Sequence, residues 1–217
     1  VPMFDHHILP YLRKLQNKVF LSDMVKICGI GESKAETQIL DLINGQTNPT
    51  IAPYAKNGEV HFRVTASAAD EKEAHQLLKP VIDELFSRFG DNIYTTKEEE
   101  TLEEVVVKLL LKNKMTVTCA ESCTGGLLAG RIVNVPGASA VLNESFITYA
   151  NEAKMKYLGV HEDTLRQYGA VSEQTAREMA EGAARAAGSE AAIAVTGIAG
   201  PDGGTGQKPV GLVYIGC

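Results

Sequence analysis

The sequence predicts an α/β protein in which a small α+β domain precedes a layered α/β domain. Three observations lead there. Residues 18–96 run strand, helix, strand, strand, helix, strand; residues 97–217 alternate strand with helix; and an acidic stretch, Lys97 to Glu100, falls between the two patterns. Residues 1–17 precede both patterns.

The first strand is the apolar run Val19 to Ile27, closed by the turn Gly29-Ile30-Gly31. Ser33 to Ile43 then places Ala35, Ile39, Leu40 and Ile43 on one helical face. Asn44-Gly45 and Asn48-Pro49 break that helix. Two strands follow, joined by Asn57-Gly58, a hairpin signal because both residue types tolerate positive φ. In the second of them Val60, Phe62 and Val64 alternate toward a core. Asp70 to Phe89 is an amphipathic helix ended by Gly90.

Thr101 and Glu104 form a capping-box signature for a helix through Leu111. Beyond it the sequence predicts strands over Met115–Ala120, Ser145–Ala150, Ala192–Thr196 and from Val210 onward. Helices are predicted over Gly125–Val133, Asn151–Leu158 and Ser172–Ala187, with Asn151 as N-cap. Because the chain opens on Val1 and closes inside the run Val210 to Ile215, its natural sequence is expected to continue on both sides.

Composition narrows the function. The net charge of −6 disfavours a phosphate-backbone binder, so nucleic acid is not an expected partner. Cys28, Cys119, Cys123 and Cys217 offer no CxxC pair, which fits reduced thiols and a cytoplasmic location. No apolar run reaches membrane-span length, so no membrane association is expected. A homodimer is the default assembly.

Three segments can carry chemistry. Ala120-Glu121-Ser122-Cys123-Thr124-Gly125-Gly126 leaves a strand and enters a helix, which sets Ser122 where helix-start N–H groups converge. Those amides suit an oxyanion, while Gly125 and Gly126 let a ligand approach the backbone; alternatively Ser122 or Thr124 merely caps the helix. A serine nucleophile needs a base, and the one histidine of this domain, His161, sits at a turn remote from the motif. Lys154, in Thr148-Tyr149-Ala150-Asn151-Glu152-Ala153-Lys154, is the next candidate. Moving a lysine from about 10.4 to near 7 takes roughly 4 to 5 kcal/mol, which desolvation supplies. The base reading therefore predicts a buried Lys154, and its alternative an exposed, charged one. Tyr149 is either a proton relay beside Lys154 or an ordinary half-buried aromatic.

The third segment, Thr196-Gly197-Ile198-Ala199-Gly200-Pro201-Asp202-Gly203-Gly204-Thr205-Gly206, is a glycine-dense loop whose amides and Thr196 hydroxyl suit a phosphate or carboxylate. The alternative is a plain surface loop. It lacks the GxxxxGK[ST] order of a triphosphate-binding loop.

Together AESCTGG, TYANEAK and TGIAGPDGG with KPVG after it resemble the carboxy-terminal domain of the CinA, or competence-damage-inducible, family over residues 101–217. Residues 1–100 are similar to the family's central part, where a preceding domain leads into a small KH-like domain, and this resemblance implies that residues 1–17 are a remnant of that preceding domain. The resemblance implies a nicotinamide-nucleotide amidase that converts nicotinamide mononucleotide to nicotinate mononucleotide and ammonia without metal or cofactor. It implies Ser122 as nucleophile, Lys154 as base, Tyr149 beside them and Thr196 in the substrate loop. Thr124, Gly125, Gly126, Gly197 and Gly200 complete the expected substrate contacts. A family arginine implied in substrate contact has no counterpart up to Cys217. The competing functions are a non-catalytic nucleotide sensor or scaffold with a charged Lys154, and an RNA-binding KH-like half. The latter is disfavoured by the acidic Gly29-Ile30-Gly31-Glu32 in place of a basic GxxG loop.

Overall fold

The computed structural model describes residues 2–15 and 17–217 and divides into two compact units, Val1–Leu102 and Glu103–Cys217. Within the expected remnant, Val1 and Gln16 lie outside the described residues. A π-helical turn, Phe4–Ile8, runs into helix α1 (Leu9–Leu15).

The first unit continues with β1 (Val19–Cys28), α2 (Glu32–Gln38), α3 (Leu40–Gly45), β2 (Thr50–Lys56), β3 (Glu59–Ala68), α4 (Glu71–Phe89) and β4 (Ile93–Thr95). Its sheet is antiparallel in the order β2-β3-β1-β4. The period-2 pattern of β3 buries Val60, Phe62, Val64, Ala66 and Ala68 on one face. Against it α4 sets Leu78, Leu85 and Phe89, and the rings of Phe62 and Phe89 stack at 5.2 Å. Each such large side chain contributes about 1.5–3 kcal/mol on full burial. Asp70 caps α4 by accepting from the Glu73 amide at 2.8 Å, and the Glu73 carboxylate reaches back to the Ala69 amide.

The single helix expected over Ser33 to Ile43 is two. Ile39, at φ −121 and ψ 12, breaks it, with a tightened bond from its amide to the Glu36 carbonyl. The break buries Ile39 completely and resets the helical phase, so Leu40, counted onto the inward face, is 46% exposed. In the Asn57-Gly58 hairpin only Gly58 takes positive φ.

The second unit comprises α5 (Leu102–Asn113), β5 (Val117–Glu121), α6 (Leu127–Val133), a 3-10 turn (Ala138–Ala140), β6 (Phe146–Ile147), α7 (Asn151–Leu158), α8 (Glu162–Tyr168), α9 (Glu173–Ala187), β7 (Ala191–Gly197) and β8 (Val213–Gly216). The sheet order is β6-β5-β7-β8, with β5 parallel to both neighbours and β8 antiparallel to β7. Every residue of β5 is buried, as a central parallel strand covered on both faces requires. Val117 and Cys119 pack with Val107 of α5 and Ile132 of α6; Ala120, Ala192 and Ala194 pack with Leu158 of α7 and Met179 and Ala183 of α9. Small residues let α9 approach closely. A Cβ on Gly182 would stand 1.8 Å from the Leu158 carbonyl oxygen.

Local limits differ from expectation where tertiary contacts intervene. The strand expected over Ser145 to Ala150 pairs only at Phe146–Ile147, because Thr148 turns away after donating its amide to the Glu121 carbonyl. The N-cap of α7 is Ala150, Asn151 being its first helical residue. Helix α8 was not expected, since only Leu165 of it packs on the core. No helix among the described residues is long and apolar enough to cross a membrane.

Candidate active site

Strand β5 ends in the middle of the sheet, and the turn that follows carries the serine. The Ser122 amide extends the ladder by donating to the Val195 carbonyl at 2.9 Å. Residues 122–126 then turn before α6 begins at Leu127. The β7 side therefore holds the backbone of Ser122, β6 pairs up to the preceding Glu121, and the serine stands at the carboxyl end of the sheet, the usual ligand-binding end of such layers.

Glu121 organises this turn, a role sequence reading missed. Its carboxylate is buried and accepts the amides of Gly126 at 2.9 Å, Leu128 at 3.1 Å and Ala129 at 2.8 Å. Burial by itself raises the Glu121 pKa, but the neighbouring Thr124 hydroxyl and these three amides outweigh it and hold the group below its ordinary value. The expected oxyanion donors are accordingly corrected: the helix-start amides are occupied by an internal anion. The Cys123 and Thr124 amides, one turn earlier, donate to no acceptor among the described residues.

Lys154 comes from the first turn of α7 and is fully buried. Its Nζ lies 3.0 Å from Ser122 Oγ, 2.7 Å from the Thr148 carbonyl oxygen and 2.9 Å from the Tyr149 carbonyl oxygen. No carboxylate pairs with it among the described residues, and burial pushes its pKa below the ordinary lysine value, against a smaller opposing effect of Cys123. Carbonyl oxygens only accept. A neutral amine has two N–H groups and one lone pair, so the two carbonyls consume the hydrogens and leave the lone pair facing the serine hydroxyl.

Tyr149 departs from both expectations. Its ring is 77% exposed rather than half-buried, its hydroxyl forms no hydrogen bond among the described residues, and it is its backbone carbonyl that touches Lys154. Thr196 is buried at the end of β7 and its hydroxyl donates to the Ala170 carbonyl at 2.8 Å. That hydrogen is spent, so Thr196 offers a ligand its lone pairs, which suit an amide N–H rather than an anion. Gly197 has its close approach used by the protein itself, because a Cβ there would stand 2.8 Å from the Leu212 carbonyl oxygen.

These groups border one pocket of about 300 Å³, lined by Ser122, Cys123, Tyr149, Lys154 and Thr196, by Ala170 and Val171, and by the loop residues Gly197, Ile198, Ala199, Gly200, Asp202 and Gly203. Thr124, Gly125 and Gly126, expected as substrate contacts, are not among its lining residues. The Gly125 and Gly126 amides instead close the turn onto the Ser122 carbonyl and Glu121. Ala170 and Val171 carried no sequence signal. Lys208 brings them to the loop: its Nζ donates to the carbonyls of Tyr168 at 2.6 Å and Val171 at 2.7 Å. His161 stands apart, with an exposed ring paired to Glu178 at 3.2 Å.

A layered α/β domain with a buried lysine against the serine that ends its central strand defines the class. Residues 99–217 match the family model of the CinA C-terminal domain, and residues 22–95 that of the damage-inducible protein CinA KH domain. The chain belongs to the CinA family. It is 54% identical over 99% of its length to a Clostridium novyi protein and 52% identical over its whole length to one from Clostridium tetani, both named competence-damage inducible protein. The chain spans about half the length of these relatives, 51% and 53% respectively. Among solved structures, it is similar to the competence/damage inducible protein CihA of Agrobacterium tumefaciens at 49% identity and a TM-score of 0.50, over 52% of this chain and 69% of that one. A CinA superfamily protein of Escherichia coli aligns at 36% identity and a TM-score of 0.51, over 58% of this chain and 76% of that one.

Proposed function

We propose that the chain is an amide hydrolase of the Ser–Lys type, acting on the carboxamide of nicotinamide mononucleotide. The observation that carries this reading is the hydrogen-bond set of Lys154, two carbonyls and the Ser122 hydroxyl around a buried amine. Lys154 takes the Ser122 proton as Oγ attacks the amide carbon. The oxyanion gains the Cys123 amide, a donor the turn leaves unused on the pocket wall. As the C–N bond breaks, Lys154 returns the proton to the leaving nitrogen and ammonia departs. Water, deprotonated by the same amine, then cleaves the Ser122 ester and releases nicotinate mononucleotide. Thr196, with its lone pairs toward the pocket, accepts from the carboxamide nitrogen and fixes which side of the amide faces Ser122.

One observation favours a second reading. Three acceptors around Nζ also match the three donors of an ammonium, as a non-catalytic nucleotide sensor would have. Ammonia release and nucleotide binding, measured together on nicotinamide mononucleotide, separate the two. Release at a rate proportional to protein concentration supports the amidase; binding without release overturns it in favour of the sensor.

A further inference from the structure

The pocket lining has a residue whose charge no ion pair balances among the described residues. Asp202 borders the cavity on the glycine loop, is exposed, and forms no ion pair among the described residues. All other lining side chains are neutral or apolar apart from Lys154, and the amine of Lys154 is directed to two carbonyls and a hydroxyl. The same cavity carries the exposed ring of Tyr149, whose hydroxyl is idle. An unpaired carboxylate and an exposed aromatic face on one small pocket both favour a flat organic cation: the first by charge, the second by the negative potential of its π face. Neither helps a neutral ring.

We infer that Asp202 is a specificity determinant that selects amides on a cationic, N-substituted pyridinium ring over the same amides on an uncharged ring, with Tyr149 providing the aromatic face. This rests on the amidase reading for the identity of the amide and deepens it. The selection acts on binding, because the ring charge is present before any bond changes. The phosphate and ribose of a mononucleotide are the same whichever charge the ring carries, so their contacts cancel in the comparison.

The test is a calorimetric titration of nicotinamide mononucleotide and of its reduced form, which keeps the amide, ribose and phosphate but has a neutral ring. Both are titrated against the unsubstituted protein, Asp202→Asn and Tyr149→Leu. The unsubstituted protein should bind the cation more tightly. Asp202→Asn should weaken the cation about fivefold, the scale of an exposed charge pair, and leave the neutral form within about twofold. Tyr149→Leu should narrow the preference in the same direction. Because Asn keeps the size of Asp at an exposed site, folding is not at issue. Equal weakening of both ligands, an unchanged ratio, or no binding of either overturns the inference. A protein that binds with the expected ratio yet releases no ammonia leaves the selection standing and defeats only the amidase reading.

Discussion

The amine of Lys154 and the hydroxyl of Ser122 meet at 3.0 Å although 32 residues separate them, and both are buried at the end of the central strand of one sheet. The turn after β5 supplies the serine and α7 the lysine, and β5 and β6 pair at Phe146–Ile147 just before both. Among the described residues no acidic group pairs with the lysine, and burial lowers its pKa, which sets the pH response.

Activity should rise with pH. The neutral amine is the active form, and burial lowers the Lys154 pKa, so kcat/KM climbs as pH passes upward through a midpoint below the ordinary lysine value of about 10.4. A pH profile of kcat/KM reads this limb. Stability shares its sign: the unfolded chain holds the proton more tightly than the folded one, so this group's penalty is greatest in acid and is relieved as pH rises from the folded to the unfolded pKa.

Glu121→Gln should weaken the fold while changing its pH response. The carboxylate holds three amides, and its replacement by a single acceptor oxygen costs about 2 kcal/mol at neutral pH. With a folded pKa below the unfolded one, Glu121 contributes stability above its unfolded pKa that is lost as pH falls through the folded pKa. Urea unfolding at pH 7 and at acid pH should therefore show a deficit for Glu121→Gln that shrinks in acid.

Gly182→Ala places a methyl group 1.8 Å from the Leu158 carbonyl oxygen, and the obstacle is backbone. Helix α9 must lift from the end of α7, at about 3 kcal/mol or more. Since α7 also bears Lys154, thermal unfolding and activity should fall together.

Lys208→Met cuts the two bonds that hold Tyr168 and Val171 to the loop. Two hydrogen bonds of about 1 kcal/mol each correspond to a rise in KM of about thirtyfold, with kcat within about twofold. Steady-state kinetics separates this from a catalytic defect, which would lower kcat.

Much of the fold was legible because it rests on local pattern. The alternation of Val60, Phe62 and Val64 names a buried sheet face, and Asp70 and Gly90 bound α4 by chemistry visible in the chain. What escaped depends on contacts distant in sequence. Nothing local marks Ile39 as a break, since the helical count runs through it and only burial against the sheet decides otherwise. Helix α8 has too narrow an apolar stripe to announce itself. At the site, Ser122, Lys154 and the glycine loop are candidates by residue type and position, whereas the burial of Lys154 is a tertiary property. Glu121 was passed over because an acidic residue one position before a helix-bound turn reads as solvated; only the fold shows that it takes the amides assigned to an oxyanion. At Tyr149 the group in contact with Lys154 is the backbone carbonyl, which residue type cannot announce.

The most direct test of the central claim is ammonia release from nicotinamide mononucleotide by Ser122→Ala, Lys154→Ala and the double variant, with Cys123→Ala as control. The dyad predicts a loss of at least about 10³-fold for either single substitution, no further loss in the double variant because the two groups act as one unit, and retained turnover in Cys123→Ala. Turnover that survives Ser122→Ala, or that disappears with Cys123→Ala while surviving the serine substitution, would contradict it.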